Sequence, residues 1–189
     1  MFEKFKSWCR ININGRKWPL LDFASRVVMI KRHQYVVRMA TEQDIKAMVD
    51  IERAIYGDAP WSYAAFQIEL RRPHDRLYLV IVDDGQVVGF IGMAVDWYQL
   101  DLHITNIGIT PGYQKKGIGT YLISTALNYA RHTQLRSVSL EVRVHNLVAR
   151  KLYEHLGFRE REIKHRYYLD NHEDAIDMAA DLLNKGEQK

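Results

Sequence analysis

The sequence predicts an α/β domain. Three patterns carry that expectation. "RLYLVIV" and "QVVGFIGMAV" are apolar, β-rich runs joined by "DDG", a strong hairpin signal. "NIGITPGYQKKGIGTYLISTALNYA", from Asn106 to Ala130, reads as a strand, a glycine-bearing turn and a long helix. "SVSLEVRV" followed by "LVARKLYEHL" reads as a second strand and helix.

The remaining elements follow in order. Phe2, Phe5, Trp8 and Cys9 fall at helical spacing with Lys4 and Lys6 between them, so a short amphipathic helix is expected. "RVVMI" and "QYVVRM" flank the polar turn Lys31-Arg32-His33 and read as a hairpin. Thr41 with Asp44 three residues on is a loose capping box. Ile45, Met48, Val49 and Ile51 to Ile55 continue that helix. Pro60 and Ser62 mark the start of another, from about Tyr63 to Arg71. "LHITNIGI" is a strand. "REREIKHRYYL" and "EDAIDMAADLL" close the chain as strands, the second also compatible with helix on propensity alone. No internal repeat, low-complexity linker or second core is legible.

Composition bounds the function classes. A chain of 189 residues suits one domain, or one domain with an appendage. Apolar residues at 47% and charged residues at 26% are ordinary for a globular protein. Cys9 is the single cysteine, which excludes an internal disulfide and is compatible with a reducing, cytoplasmic location. No apolar run reaches membrane-span length, and the basic N-terminus lacks a secretory apolar core. Residues 1–33 hold 8 Lys/Arg against 2 Asp/Glu, while the other 156 hold 19 against 21. The basic character therefore belongs to an N-terminal arm. Such an arm can meet nucleic acid, ribosome or anionic lipid, or simply be solvated or self-packed.

The turn before the long helix is a candidate anion site. A helix start leaves N–H groups unpaired and carries partial positive charge. Gly117 and Gly119 let the backbone curl closely round an anion, and Lys115 and Lys116 add charge. The plainer alternative is an ordinary strand-to-helix turn. A P-loop is excluded because Ile118 and Gly119, not Lys and Ser/Thr, follow Gly117. A dinucleotide fingerprint is excluded because Leu122 stands where its third glycine belongs.

Gln114-Lys115-Lys116-Gly117-Ile118-Gly119 resembles the Gln/Arg-x-x-Gly-x-Gly/Ala signature of the GNAT acyltransferases. "LEVRVHNLVARKLYEHLGFRE" is similar to that family's second cofactor segment. "HRYYLDNHEDAIDMA" and "APWSYAAFQIEL" resemble the RimI subfamily, which acetylates protein N-termini. The likeness covers about residues 34 to 180. It implies the GNAT acyl-CoA N-acyltransferase fold, a mixed, mostly antiparallel sheet flanked by helices with splayed central strands. The implied organisation is an N-terminal extension at 1–33, a catalytic domain at 34–183 and a frayed tail at 184–189. The implied co-substrate is acetyl-CoA, with its pyrophosphate on Gln114, Lys115, Lys116, Gly117, Ile118, Gly119 and Thr120. Its pantetheine arm would lie along the backbone of Ile107, Gly108 and Ile109, where an N–H meets the thioester oxygen.

Acetyl transfer to an amine needs a proton acceptor, an oxyanion donor and an acid for the leaving thiolate. Val138, Leu140, Val142 and Val144 alternate, so Glu141 shares the opposite face with Ser139 and Arg143. Glu141 is the candidate base, or else a structural partner of Arg143 or another cation. The resemblance implies the base. Asn146, Ala149 and Tyr153 lie on one helical face. Tyr153 is either a packed aromatic or the general acid, and the resemblance implies the acid. Asn146 is a helix cap, a ligand of the cofactor arm, or both. Asn106 stands on "NIGI" where related enzymes often carry a Glu, which points the base toward Glu141.

The eight histidines form no metal-ligand spacing, so no metal is expected. Trp97, Tyr98, Tyr167 and Tyr168 are candidates for lining a peptide groove or for core and rim. The resemblance implies transfer of acetyl to a protein N-terminal amine, that of an Ala on a small-subunit ribosomal protein. No membrane partner is expected, and no nucleic-acid contact beyond the basic arm. Two rivals stand beside it: a GNAT enzyme for a small amine or lysine side chain, and a non-catalytic acyl-CoA-binding or ribosome-binding module. The basic arm and the polar Asp177 in "DAIDM" depart from the subfamily pattern.

Overall fold

The computed structural model describes residues 18–183. The helix expected over Phe2 to Cys9 and the tail at 184–189 lie outside the described residues. The chain forms two compact units. One comprises residues 19–94 and 105–125, the other Trp18, Val95–Ile104 and residues 126–183.

The first unit begins with a hairpin. β1 (Arg26–Ile30) pairs antiparallel with β2 (His33–Met39). Its two-residue turn places Lys31 at φ 45° and Arg32 at φ 68°, left-handed values that most side chains avoid. After a single 3-10 turn come α1 (Ile45–Tyr56) and α2 (Tyr63–Leu70). The capping reading holds at both starts. The Thr41 N–H donates to Asp44 Oδ2 at 2.8 Å, and Ser62 Oγ accepts from the Ala65 N–H at 3.2 Å. β3 (Arg76–Asp83) and β4 (Gln86–Asp96) form the hairpin expected at "DDG", with Asp84 and Gly85 both at positive φ. β3 pairs with β2 on its other side. Beside β4 runs the second half of β5 (Asp101–Ile109), tied by the Thr110 N–H to Val88 O at 3.0 Å. Phe66 of α2 packs edge-on against Tyr78 and Phe90, centroids 6.0 and 5.5 Å apart, in a core shared with Ile45 and Met48.

Gly92 of β4 is required by this packing. A Cβ there would lie 2.3 Å from Asn106 Oδ1 and 2.4 Å from the Tyr78 ring. The absent side chain lets the Asn106 amide and the Tyr78 ring sit against the β4 backbone.

The second unit holds the first half of β5, parallel to β6 (Ser137–Arg143) from Asp101↔Ser137 to Ile104↔Leu140. β8 (Ala175–Asp181) pairs antiparallel with β6 on one side and with β7 (Arg159–Lys164) on the other. α3 (Ile118–His132) runs through both units, and α4 (Leu147–His155) belongs to this one. The strand order is β1-β2-β3-β4-β5 in the first unit and β5-β6-β8-β7 in the second. All pairs named are antiparallel except β5–β6, so the sheet is mixed and mostly antiparallel, as expected.

One expectation changes, and one holds against its helical alternative. "REREIKHRYYL" is a strand only to Lys164. Arg166 turns the chain at φ 52°, so the aromatic pair beyond it leaves the ladder. "EDAIDMAADLL" is a strand, because pairing on both edges overrides its helical propensity. Among the described residues, no helix is long and apolar enough to cross a membrane.

Candidate active site

In the second unit, register brings acids face to face. Glu141 of β6 stands directly opposite Asp177 of β8. Like charges in that position repel. Lys164 resolves the conflict from β7, with Nζ 2.6 Å from Glu141 Oε1 and 2.7 Å from Asp177 Oδ2. Arg161 adds a second cation to Asp177 at 2.6 Å. The cation expected beside Glu141 is therefore Lys164 rather than Arg143, which instead reaches Asp170 and Glu173.

His103 of β5 completes the cluster. Its Nε2 lies 3.0 Å from Glu141 Oε2, and its Nδ1 lies 3.0 Å from Ser139 Oγ. The Ser139 hydroxyl donates to Asp101 Oδ2 at 2.5 Å. A serine has one hydrogen to give, so the ring supplies the hydrogen of the His103–Ser139 bond. The imidazole then lies between Ser139 and Glu141, with Nε2 facing the carboxylate. Burial alone would raise the Glu141 carboxyl. The hydrogen bonds and charges of His103 and Lys164 outweigh it and bring the group down to about 2. Tyr167 also hydrogen-bonds this carboxylate, and burial with the negative charge of Glu141 pushes its phenol up.

Asn146 caps α4, with Oδ1 accepting the Ala149 N–H at 3.1 Å. Tyr153, one of the residues of α4, is buried with its ring centroid 5.8 Å from that of Phe158. β6 ends at Arg143, and the His145 ring stands exposed with Nδ1 3.0 Å from Glu173. Trp97 stacks on Trp18 at 5.2 Å, and Tyr98 meets the same indole edge-on at 6.0 Å.

The glycine turn lies in the first unit. Gly117 adopts φ 92°, a conformation that favours glycine. Its Cα face lies against the β1–β2 turn, where an added Cβ would meet Ile30 Cγ2 at 3.2 Å. Lys31 Nζ donates to Lys115 O at 3.2 Å, and Gln114 Nε2 donates to Ile109 O at 3.1 Å. Lys116 Nζ sits 4.6 Å above the Tyr113 ring. Ile118 is buried at the start of α3, while Gly119 is partly exposed and Thr120 exposed. Ile107, Gly108 and Ile109 end β5 just before this turn. Among the described residues, no group of His, Cys, Asp and Glu could hold a metal ion.

Sequence reasoning missed three groups. His103 and Lys164 depend on strand register, which one sequence does not display. Glu52 did leave a signal: Ile45, Met48, Val49 and Glu52 form one i, i+3, i+4, i+7 stripe. Glu52 is accordingly buried with the core face of α1. Burial pushes its carboxyl up to about 7, against hydrogen bonds from the Trp61 N–H and Asn106.

A parallel β5–β6 pair in a mostly antiparallel sheet, with a left-handed glycine turn between β5 and α3, defines the class. Residues 45–158 match the acetyltransferase (GNAT) family, and the chain belongs to it. The chain is 36% identical to a putative ribosomal protein bS18 alanine N-acetyltransferase of Bacillus subtilis over 143 residues, 75% of this chain and 92% of that protein. It is 32% identical to an N-alpha-acetyltransferase of Sulfurisphaera tokodaii over 164 residues, 80% of this chain and 96% of that one. The crystal structure of the ribosomal-protein-S18-alanine N-acetyltransferase of Escherichia coli aligns with a TM-score of 0.72 at 29% identity, over 82% of this chain and 98% of that one. Enzymes of this family are in general acetyl-CoA-dependent acetyltransferases.

Proposed function

We propose that this protein transfers acetyl from acetyl-CoA to a protein N-terminal α-amine, with an alanine of a small-subunit ribosomal protein as the preferred acceptor. The observation that carries the reading is the Glu141 carboxylate, partly buried on β6 yet held ionised by Lys164 and His103. A fixed negative charge attracts a protonated amine and orients it. As a base it is weak, so it suits an amine that releases its proton readily. Deprotonation at pH 7 costs about 1.4 kcal/mol for an α-amine of pKa ~8 and about 4.6 kcal/mol for a lysine of pKa ~10.4. The α-amine is the better-matched substrate. The names of the Bacillus and Escherichia relatives support the ribosomal acceptor.

In this reading Glu141 receives the amine proton, directly or through a water. The glycine turn holds the pyrophosphate on the backbone of Gln114 to Thr120. A backbone N–H among Ile107, Gly108 and Ile109 stabilises the developing oxyanion. Tyr153 protonates the departing thiolate, and Asn146 steadies the cofactor arm. The amine attacks the thioester carbonyl, the C–S bond breaks, and the products are an N-acetyl peptide and CoA.

The test is acetyl-CoA turnover on peptides that differ in their first two residues. N-terminally blocked lysine peptides and free polyamines serve as comparison acceptors. Mass spectrometry should place the acetyl group on the α-nitrogen, with Ala first preferred. Turnover confined to polyamines or lysine side chains would replace this reading with a small-amine or lysine enzyme. CoA binding without turnover on any amine would make the protein a non-catalytic module.

A further inference from the structure

The β1–β2 hairpin precedes residues 45–158, the span shared with the family. It nevertheless reaches the glycine turn at two places. Near the strand ends, His33 Nε2 lies 2.8 Å from Asp83 Oδ1, and the Tyr113 hydroxyl donates to the same carboxylate. At the hairpin tip, Lys31 Nζ donates to Lys115 O at 3.2 Å. The Lys31 stem runs beside Gly117, with Cε and Cδ 3.5 and 3.8 Å from where a Cβ on that glycine would stand. The first contact holds the entry to the turn. The second acts on the backbone of the turn itself.

Lys115 is where this turn is hardest to hold. Its φ of 61° is left-handed, a value that is costly for a residue with a Cβ and persists where surrounding contacts impose it. Gly117, at φ 92°, has no Cβ to clash. The peptide between Lys115 and Lys116 is trans and planar, so its C=O and N–H point to opposite sides. With Lys115 O drawn to the hairpin by Lys31, the Lys116 N–H faces away from the hairpin. Without that bond the peptide plane is freer to rotate, and the N–H rotates with it. An anion cradle works best when its N–H groups are aimed before the anion arrives.

We propose that Lys31 is a positioning residue for the cofactor: by holding the Lys115 carbonyl on the hairpin side, it keeps the Lys116 N–H aimed at the pyrophosphate of acetyl-CoA. This rests on the cofactor reading of the glycine turn given above. It adds to that reading a hairpin from outside the span shared with the family. Lys31 acts through one peptide group, not by contact with the cofactor.

Calorimetry with CoA on the full chain compares wild type with Lys31→Met, Lys31→Arg and Arg32→Met. Methionine keeps a stem beside Gly117 and removes the donor, while arginine restores a donor. Arg32 carries the same charge on the same exposed turn, so its variant measures the effect of charge alone. Lys31→Met should raise the CoA Kd about three- to tenfold, the range for one net hydrogen bond. Lys31→Arg should recover most of that loss, and Arg32→Met should stay within twofold of wild type. The ratio of Lys31→Met to wild type should persist in about 0.5 M NaCl, where the contribution of an exposed charge is screened. In turnover, the acetyl-CoA KM should rise while kcat and the peptide KM stay unchanged. Acetyl-pantetheine, which lacks the pyrophosphate, should serve wild type and Lys31→Met equally. Wild type that binds no CoA would overturn the cofactor reading and this proposal with it. Wild type that binds CoA with a Kd matched by Lys31→Met would overturn the positioning role alone. So would a ratio that collapses at high salt, an equal loss in Arg32→Met, or a loss shared by acetyl-pantetheine.

Discussion

Lys164→Met tests how the Glu141 charge is maintained. Methionine keeps the apolar stem of lysine and removes its ammonium. Glu141 sits at about 2 against an ordinary 4.5, a shift worth roughly 3 kcal/mol of preference for the charged form. Lys164 makes the shorter of the two contacts to this carboxylate, 2.6 Å against 3.0 Å to His103. It also separates Glu141 from Asp177, directly opposite on β8. Without it, burial and the Asp177 charge act together to raise the Glu141 carboxyl. We expect a rise of about two units or more, to the ordinary carboxylate range or above. The sign for stability follows. A lowered pKa contributes stability above 4.5 that is lost as pH falls toward 2, so the variant forfeits that contribution at neutral pH. A loss of about 2 kcal/mol corresponds to a Tm lower by roughly 4–8 °C at pH 7, with the difference from wild type shrinking on acidification. In kinetics, kcat/KM should gain an acidic limb between pH 4 and 6 that wild type lacks. Superimposable pH–rate profiles together with equal Tm values at pH 7 would refute the role given to Lys164.

Three further outcomes are expected. Glu141→Gln should preserve acetyl-CoA affinity and lower turnover by about 10²–10⁴, the range for loss of a general base; unchanged turnover across pH 6–9 would remove Glu141 from the mechanism. Gly92→Ala should destabilise by about 1–3 kcal/mol, because its Cβ would lie 2.3 Å from Asn106 Oδ1 and 2.4 Å from the Tyr78 ring, both held in place; thermal melts matching wild type would contradict that close approach. Gly119→Val should weaken CoA binding far more than it weakens the fold, since a branched side chain on the first turn of α3 obstructs approach of a pyrophosphate; calorimetry showing wild-type affinity would end the cradle reading of that turn.

The sequence by itself determined what local physics controls. Continuous apolar, β-rich runs set the strands at 76–83 and 86–96, and "DDG" set their turn, with Asp84 and Gly85 in the left-handed region. Pro60 and Ser62 set the start of α2, and Asn146 set the cap of α4. The glycine turn was legible because positive φ at Gly117 is a one-residue property. Such signals span a few neighbours. Tertiary structure decided what depends on partners distant along the chain. Residues 175–181 could have been helical, and became a strand because β6 and β7 pair with both of their edges. β7 stopped at Lys164, although the sequence reading carried it on to Leu169, because the chain turns at Arg166. The charge state of Glu141 belongs to Lys164, 23 residues on, and to His103, brought close by the β5–β6 register. The Glu52 carboxyl is displaced because α1 carries it into the core, where Trp61 and Asn106 offer it hydrogen bonds that do not offset its burial. An isolated carboxylate has one ordinary pKa. Desolvation and the charges that folding places beside it separate these two, one to about 2 and the other to about 7.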